Sequence, residues 1–134
     1  MKIGELAKSS GCSVQTIRYY EKEGLISAPS RSEGNFRLYD QQAEERLIFI
    51  KRCRNLDLSL DEVKQLLTLS LEPDTACDEV NQIVDKHIQL VEARIADLQH
   101  LHGQLRRLRE DCTKSLTVNQ CGIIKTLKAP GVDD

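Results

Sequence analysis

The chain has 134 residues and a mass of 15.2 kDa, room for one domain or a small domain with an extension. A composition of 40% hydrophobic and 30% charged residues excludes a disordered chain, and apolar runs only a few residues long exclude a membrane span. The net charge of −2 is unevenly placed: residues 1–56 carry ten Lys/Arg and seven Asp/Glu, a net of +3, whereas residues 57–134 carry nine and fourteen, a net of −5. The basic end is compatible with nucleic-acid binding.

In chain order, IGELAKS at 3–9 has a short helical pattern with Ile3, Leu6 and Ala7 on one face, broken by Gly11. Ser13 is an N-cap for a second helix, VQTIRYYEKEG, closed by Gly24. Two short helices joined by a tight glycine turn make a helix-turn-helix. The stretch from Arg31 to Tyr39 then reads as a β-hairpin with its tip at Gly34, a wing. Asp40 caps a third helix over about 41–54, with Leu47, Ile48 and Ile50 inward. Ser59 and Glu62 have capping-box spacing and open a fourth helix to about Leu69. Pro73-Asp74 marks a linker, and Thr75 with Asp78 reads as the cap of a long helix ending near Cys112.

Along that helix, Val84, Ile88, Val91, Ile95, Leu98, Leu105 and Cys112 recur on alternating four- and three-residue steps, with His102 in the one gap. This is an a/d seam. A lone helix of ~36 residues cannot bury such a stripe in its own small domain, so the pattern predicts a coiled coil between two copies of the chain. The expected fold is mostly α: an N-terminal winged helix-turn-helix followed by a long antiparallel coiled-coil dimerisation helix. The expected division is 1–72 for the DNA-binding domain with coupling helices, 75–112 for the dimerisation helix, and 113–134 for a loop, short helix and tail.

Two residue sets carry candidate chemistry. Thr16, Arg18, Tyr19 and Tyr20 on the second helix, with Arg31, Arg37 and Tyr39 on the wing, are candidate DNA contacts. Arginine reads guanine edges or clamps phosphates, and tyrosine hydroxyls donate to phosphates. The alternative is that the tyrosines are core and the arginines form a solvated face.

The second set is cysteine. No apolar secretion signal opens MKIGELAKSS, so a cytoplasmic location is expected. In that setting five cysteines, an odd number, favour free or metal-bound thiols over a disulfide framework. Cys12 and Cys53 read as small buried residues. Cys77 falls in the first turn of the long helix, where free N–H groups and the helix dipole favour a thiolate. No CxxC pair is present, so spacing alone leaves unliganded thiols open. Cys77 and Cys112 are 35 positions apart (112 − 77), ~52 Å along one helix, too far to share an ion. In an antiparallel dimer, Cys77 of one subunit would approach Cys112 and Cys121 of its partner. Three thiolates select soft or borderline ions such as Hg(II), Cd(II), Pb(II) and Zn(II). His87, His100 and His102 read as satisfied polar residues.

IGELAKSSGCSVQTIRYYEKEGLI followed by RSEGNFRLYD resembles the N-terminal domain of MerR-family transcription regulators, through the elements RYYE and RxxGxxRxY. The resemblance continues through ERLIFIKRCRNLDLSLDEVKQLL and PDTACDEVNQIVDKHI to Cys112 and CGII at 121–124. It is strongest to the cadmium- and lead-responsive branch. It implies a homodimer that grips promoter DNA, distorts an over-long spacer when metal binds, and so aligns the elements read by RNA polymerase. It implies Arg18, Tyr20, Arg37 and Tyr39 as DNA contacts and Cys77, Cys112 and Cys121 as ligands.

Copper-sensing members resemble the chain but carry serine in place of Cys77, and zinc-sensing members add a second cysteine beside Cys112 and a histidine in the loop. Here Thr113 follows Cys112 and the loop has no histidine. Mercury-responsive members use three cysteines at similar spacing, so the ligands leave Hg(II) and Zn(II) open, and Pb(II) or Cd(II) is favoured by the resemblance outside the ligand set. A thiol redox sensor on the same scaffold is the alternative. An enzyme is not expected, since no His or Asp is spaced to activate Cys77.

Overall fold

The computed structural model describes residues 1–28, 30–114 and 117–131. Its elements are α1 (Ile3–Ser10), α2 (Val14–Lys22), β1 (Ser30–Arg31), β2 (Arg37–Leu38), α3 (Gln41–Asn55), α4 (Leu60–Ser70), α5 (Asp78–Glu110), a 3-10 turn (Val118–Gln120) and α6 (Gly122–Lys128). They form two units, Met1–Ile83 and Val84–Asp134.

In the first unit, Gly11 ends α1 in the left-handed conformation (φ 74°), and its N–H donates to the Ala7 carbonyl. Lys51 Nζ on α3 donates to the Gly11 carbonyl at 3.2 Å and approaches that of Ser10 at 3.4 Å, so the turn is capped from another element. The Ser13 hydroxyl accepts from the Thr16 N–H at 3.1 Å and starts α2. Asp40 accepts from the Ala43 N–H at 2.9 Å and starts α3. Ser59 and Glu62 exchange two hydrogen bonds, 3.1 and 2.8 Å, and start α4. These inward faces close one core around Leu6, Ile17, Leu25, Leu47, Ile50 and Val63. Ile48 is half-buried, and Ala43 and Cys53 join Leu47 and Ile50 as the buried positions of α3.

The wing is a short antiparallel ladder pairing Ser30 with Leu38 and Arg31 with Arg37. Its left-handed residue is Asn35 (φ 64°) rather than Gly34, because the turn closes through the Asn35 N–H to the Ser32 carbonyl. Asparagine tolerates that conformation well. Backbone bonds from Met1 to Tyr39 in both directions, each 2.7 Å, tie the end of the wing to the segment before α1.

The long helix starts later than its sequence suggests. The Thr75 N–H donates to the Glu72 carbonyl and its hydroxyl to the Glu72 carboxylate, so Thr75 is spent on a turn. Cys77 takes the capping position instead, its carbonyl accepting from the Asn81 N–H at 2.9 Å. Cys77 therefore precedes the helix rather than lying in its first turn.

In the second unit α5 continues unbroken to Glu110. Its seam residues Val84, Ile88, Val91, Ile95, Leu98 and Leu105 are between 36% and 63% exposed within the single chain, and His87 is the buried residue of α5. Among the described residues no helix is long and apolar enough to cross a membrane.

Candidate nucleic-acid interface and metal centre

A groove of about 640 Å³ lies between α1, α2 and the wing. Lys2, Arg18, Arg31 and Arg37 all line it, with Glu5 the one acid. Four cations converging on a single open groove suit a polyanion. The wing is oriented by Glu21 on α2: one carboxylate oxygen accepts from the Tyr39 hydroxyl at 2.7 Å and from Arg37 at 3.2 Å. Burial, reinforced by the Glu21 carboxylate, pushes the Tyr39 hydroxyl up to about 12.

The seven candidate contacts therefore occupy different environments. Arg18, Arg31 and Arg37 are exposed in the groove. Tyr39 borders it, but its ring is buried and its hydroxyl is held by Glu21. Tyr20 is also buried, and Tyr19 is exposed with its ring tilted against that of Tyr20. Thr16 is half-buried, its hydroxyl accepting from that of Ser13 at 2.8 Å. Lys2 and Glu21 escaped the sequence reading. Glu21 lies within the RYYE element, and that was its only signal.

At the other end of the chain, α5 ends at Glu110, eleven positions before Cys121. The N–H groups of Asp111 and Cys112 donate to carbonyls three residues back, and Arg109 donates to the Cys112 carbonyl. Cys112 thus lies two residues past the helix. Cys121 is the residue immediately before α6.

The Cys112 thiol donates to the Lys114 carbonyl at 3.6 Å, and its interaction with Cys121 drives the acidities of the two thiols apart. Cys121 raises Cys112 above the usual thiol range. The Ile124 N–H, then the Cys112 thiol, lowers Cys121 below it. Two neighbouring thiols, one of them shifted towards easier ionisation, are chemically fit to hold a soft cation.

Gly122 lets this pair form. A Cβ there would collide with the Asp111 carbonyl oxygen. The Thr126 hydroxyl donates to the Asp111 carboxylate at 2.8 Å. Gly122, Asp111 and Thr126 also escaped the sequence reading. Only the glycine, directly after Cys121, carried any signal.

Cys77 is exposed at the start of α5. Among the described residues of one chain, no three His, Cys, Asp or Glu side chains gather into a metal-sized group. Cys53 is buried, which pushes its thiol up, and Cys12 packs half-buried against the core.

A helix-turn-helix with a cationic groove defines a DNA-binding regulator. Family models described as "MerR HTH family regulatory protein" and "MerR, DNA binding" match residues 1–69 and 44–108. The chain belongs to the MerR family of transcription regulators. The HTH-type transcriptional regulator ZntR homolog of Haemophilus influenzae is 53% identical over 110 residues, 82% of each chain. The transcription regulator PbrR691 from Ralstonia metallidurans, solved in complex with lead(II), is 50% identical, with a TM-score of 0.86 over 95% of this chain and 98% of that one. MerR from Bacillus megaterium, solved in complex with mercury(II), is 35% identical, with a TM-score of 0.70 over 96% and 100%. These relatives are regulators rather than enzymes, and they fit the metal-responsive branch of the family.

Proposed function

We propose that the protein is a homodimeric activator that binds promoter DNA through the groove and responds to one soft divalent ion per chain, held by Cys112 and Cys121 of one subunit and Cys77 of its partner. The close approach of Gly122 and Thr126 to Asp111, which brings Cys121 to the end of α5 beside Cys112, carries this reading. The third ligand follows from the continuity of α5: 33 residues at 1.5 Å each separate its ends by about 50 Å, so a third thiolate must come from an antiparallel partner. The exposed seam supplies the apolar face for that pairing. Residues 1–72 would then serve as the DNA-binding part, 75–112 as the dimerisation helix and 113–134 as the metal segment.

On DNA, Arg18, Arg31 and Arg37 supply guanidinium groups to phosphates, with Lys2 beside them. Thr16, Tyr19 and Tyr20 present α2 to the duplex, and Glu21 holds Tyr39 and Arg37 to it. Metal binding joins residues of two subunits and so biases the dimer between two states, which is what coupling to promoter distortion requires. RNA polymerase is the reader of that distortion. Lead(II) or cadmium(II) is favoured by the likeness to the lead-bound relative, and mercury(II) and zinc(II) suit the same donors. Binding displaces thiol protons and weakens as pH falls.

The test is titration of the reduced protein with Pb(II), Cd(II), Hg(II) and Zn(II), following thiolate-to-metal charge-transfer absorption. Saturation at one ion per chain, lost in each of Cys77→Ser, Cys112→Ser and Cys121→Ser, is the expected result. A band indifferent to Cys77→Ser would sink the cross-subunit site. The nearness of Cys112 to Cys121 also supports a second reading, a peroxide sensor. There the two thiols would surrender two hydrogens to peroxide, forming a disulfide and two waters, and a reductant-reversible mass loss of two hydrogens would mark it.

A further inference from the structure

Cys112 and Cys121 are nine positions apart, and a flexible chain of that length holds its ends together only a small fraction of the time. Two features outside the thiols close it. The first is the approach of the chain at Gly122 to the end of α5. A Cβ at 122 would overlap the Asp111 carbonyl oxygen and lie 3.0 Å from the carbonyl carbon, so any other residue there forces the start of α6 away from Asp111. The second is the hydrogen bond from the Thr126 hydroxyl on α6 to Asp111 Oδ2, 2.8 Å, across 15 positions. Both converge on Asp111, the residue preceding Cys112, from the segment that follows Cys121.

We propose that Asp111, Gly122 and Thr126 form a clasp that positions Cys112 and Cys121 as a ready-made dithiol before any metal arrives. These are positioning residues, acting through the two cysteines. The inference rests on the proposed ligand role of those cysteines. Its physical content is effective concentration: a clasp raises the concentration of one thiol at the other, so a bidentate ligand gains affinity without a new contact. The hydrogen bond is charge-assisted but solvent-exposed, and it supplies a modest part. The glycine contact is steric and supplies more.

A trivalent arsenical reads this directly. Phenylarsine oxide exchanges its oxygen for two thiol sulfurs: two As–S bonds form, and the oxygen leaves as water with the two thiol protons. It requires two adjacent thiols and no third. The measurement uses the full-length reduced protein carrying Cys77→Ser, with affinity set by competition against a small dithiol and the bridged residues mapped by peptide mass. We expect one arsenic per chain, bridging Cys112 and Cys121. Thr126→Val should lower the affinity about fivefold. Thr126→Ser, which keeps the hydroxyl, should restore it. Gly122→Ala should lower it by at least about tenfold, while the helical circular dichroism of all three variants stays at the parent value.

Equal affinity in Thr126→Val, Gly122→Ala and the parent would overturn the clasp. So would a loss in Thr126→Val that Thr126→Ser fails to repair, since volume rather than the hydrogen bond would then be responsible. The ligand assignment fails separately: metal titration of the otherwise native chain would survive Cys112→Ser or Cys121→Ser, whatever the arsenical shows.

Discussion

Glu21 gathers two wing side chains onto one oxygen, and that arrangement has a consequence at alkaline pH. Tyr39 is 2% exposed and its hydroxyl donates to the Glu21 carboxylate, so a phenolate there would be both buried and repelled. An unfolded tyrosine ionises near pH 10, whereas Tyr39 in the fold ionises at about 12. The stabilisation is fully present below pH 10 and is lost as pH rises towards 12, because the unfolded chain releases its proton first. The urea midpoint should fall across that window, and Tyr39→Phe should flatten the fall. A pH profile of Tyr39→Phe identical to that of the parent would contradict this account. At the same scale, Cys112 and Cys121 are half-exposed and shift each other's acidity in opposite directions, whereas Cys53 is buried and only desolvated.

At the level of elements, the helix boundaries rest on side-chain caps with assignable strength. Ser59 and Glu62 satisfy each other's backbone N–H groups at the start of α4, so Ser59→Ala should cost about 1 kcal/mol in urea unfolding. Gly11 is left-handed, and a Cβ there would also lie 2.5 Å from Lys51 Nζ. Gly11→Ala should therefore cost about 1–2 kcal/mol from the backbone alone. A loss no larger than that of an exposed mid-helix substitution would remove the turn's special status. The α2 and α3 caps were legible because Ser13 and Asp40 each stand just before an apolar-periodic run. Thr75 had an equally good cap spacing with Asp78 and was not used. The preceding Pro73-Asp74 turn consumed its N–H and hydroxyl, a competition that no spacing rule contains.

For the molecule as a whole, the decisive feature is the apolar face of α5. Six seam residues stay at least 36% exposed in one chain, more apolar surface in a single row than a solitary helix keeps in water. A second copy covering that row would bury Ile95 near the middle. Ile95→Asp should then halve the mass measured by light scattering, and promoter binding should weaken with it. An unchanged mass would place the dimer contact elsewhere. Metal response and DNA binding would be joined through this helix, since Cys77 stands at its start and Cys112 just past its end.

The helix-turn-helix, the wing, the seam and the five cysteines were all legible in the linear chain. Each is encoded by local periodicity, a cap or a residue type, and those act over a few positions. The DNA and metal candidates were legible as residue types at positions but not as environments. The difference between a buried Tyr39 tethered to Glu21 and an exposed Arg18 in the groove depends on which elements pack together. The Asp111–Thr126 bond, the tight approach at Gly122 and the shared oxygen of Glu21 join residues 15, 11 and up to 18 positions apart. No periodicity spans those separations. Such contacts exist only once the backbone has turned back on itself, so the tertiary structure alone decided them.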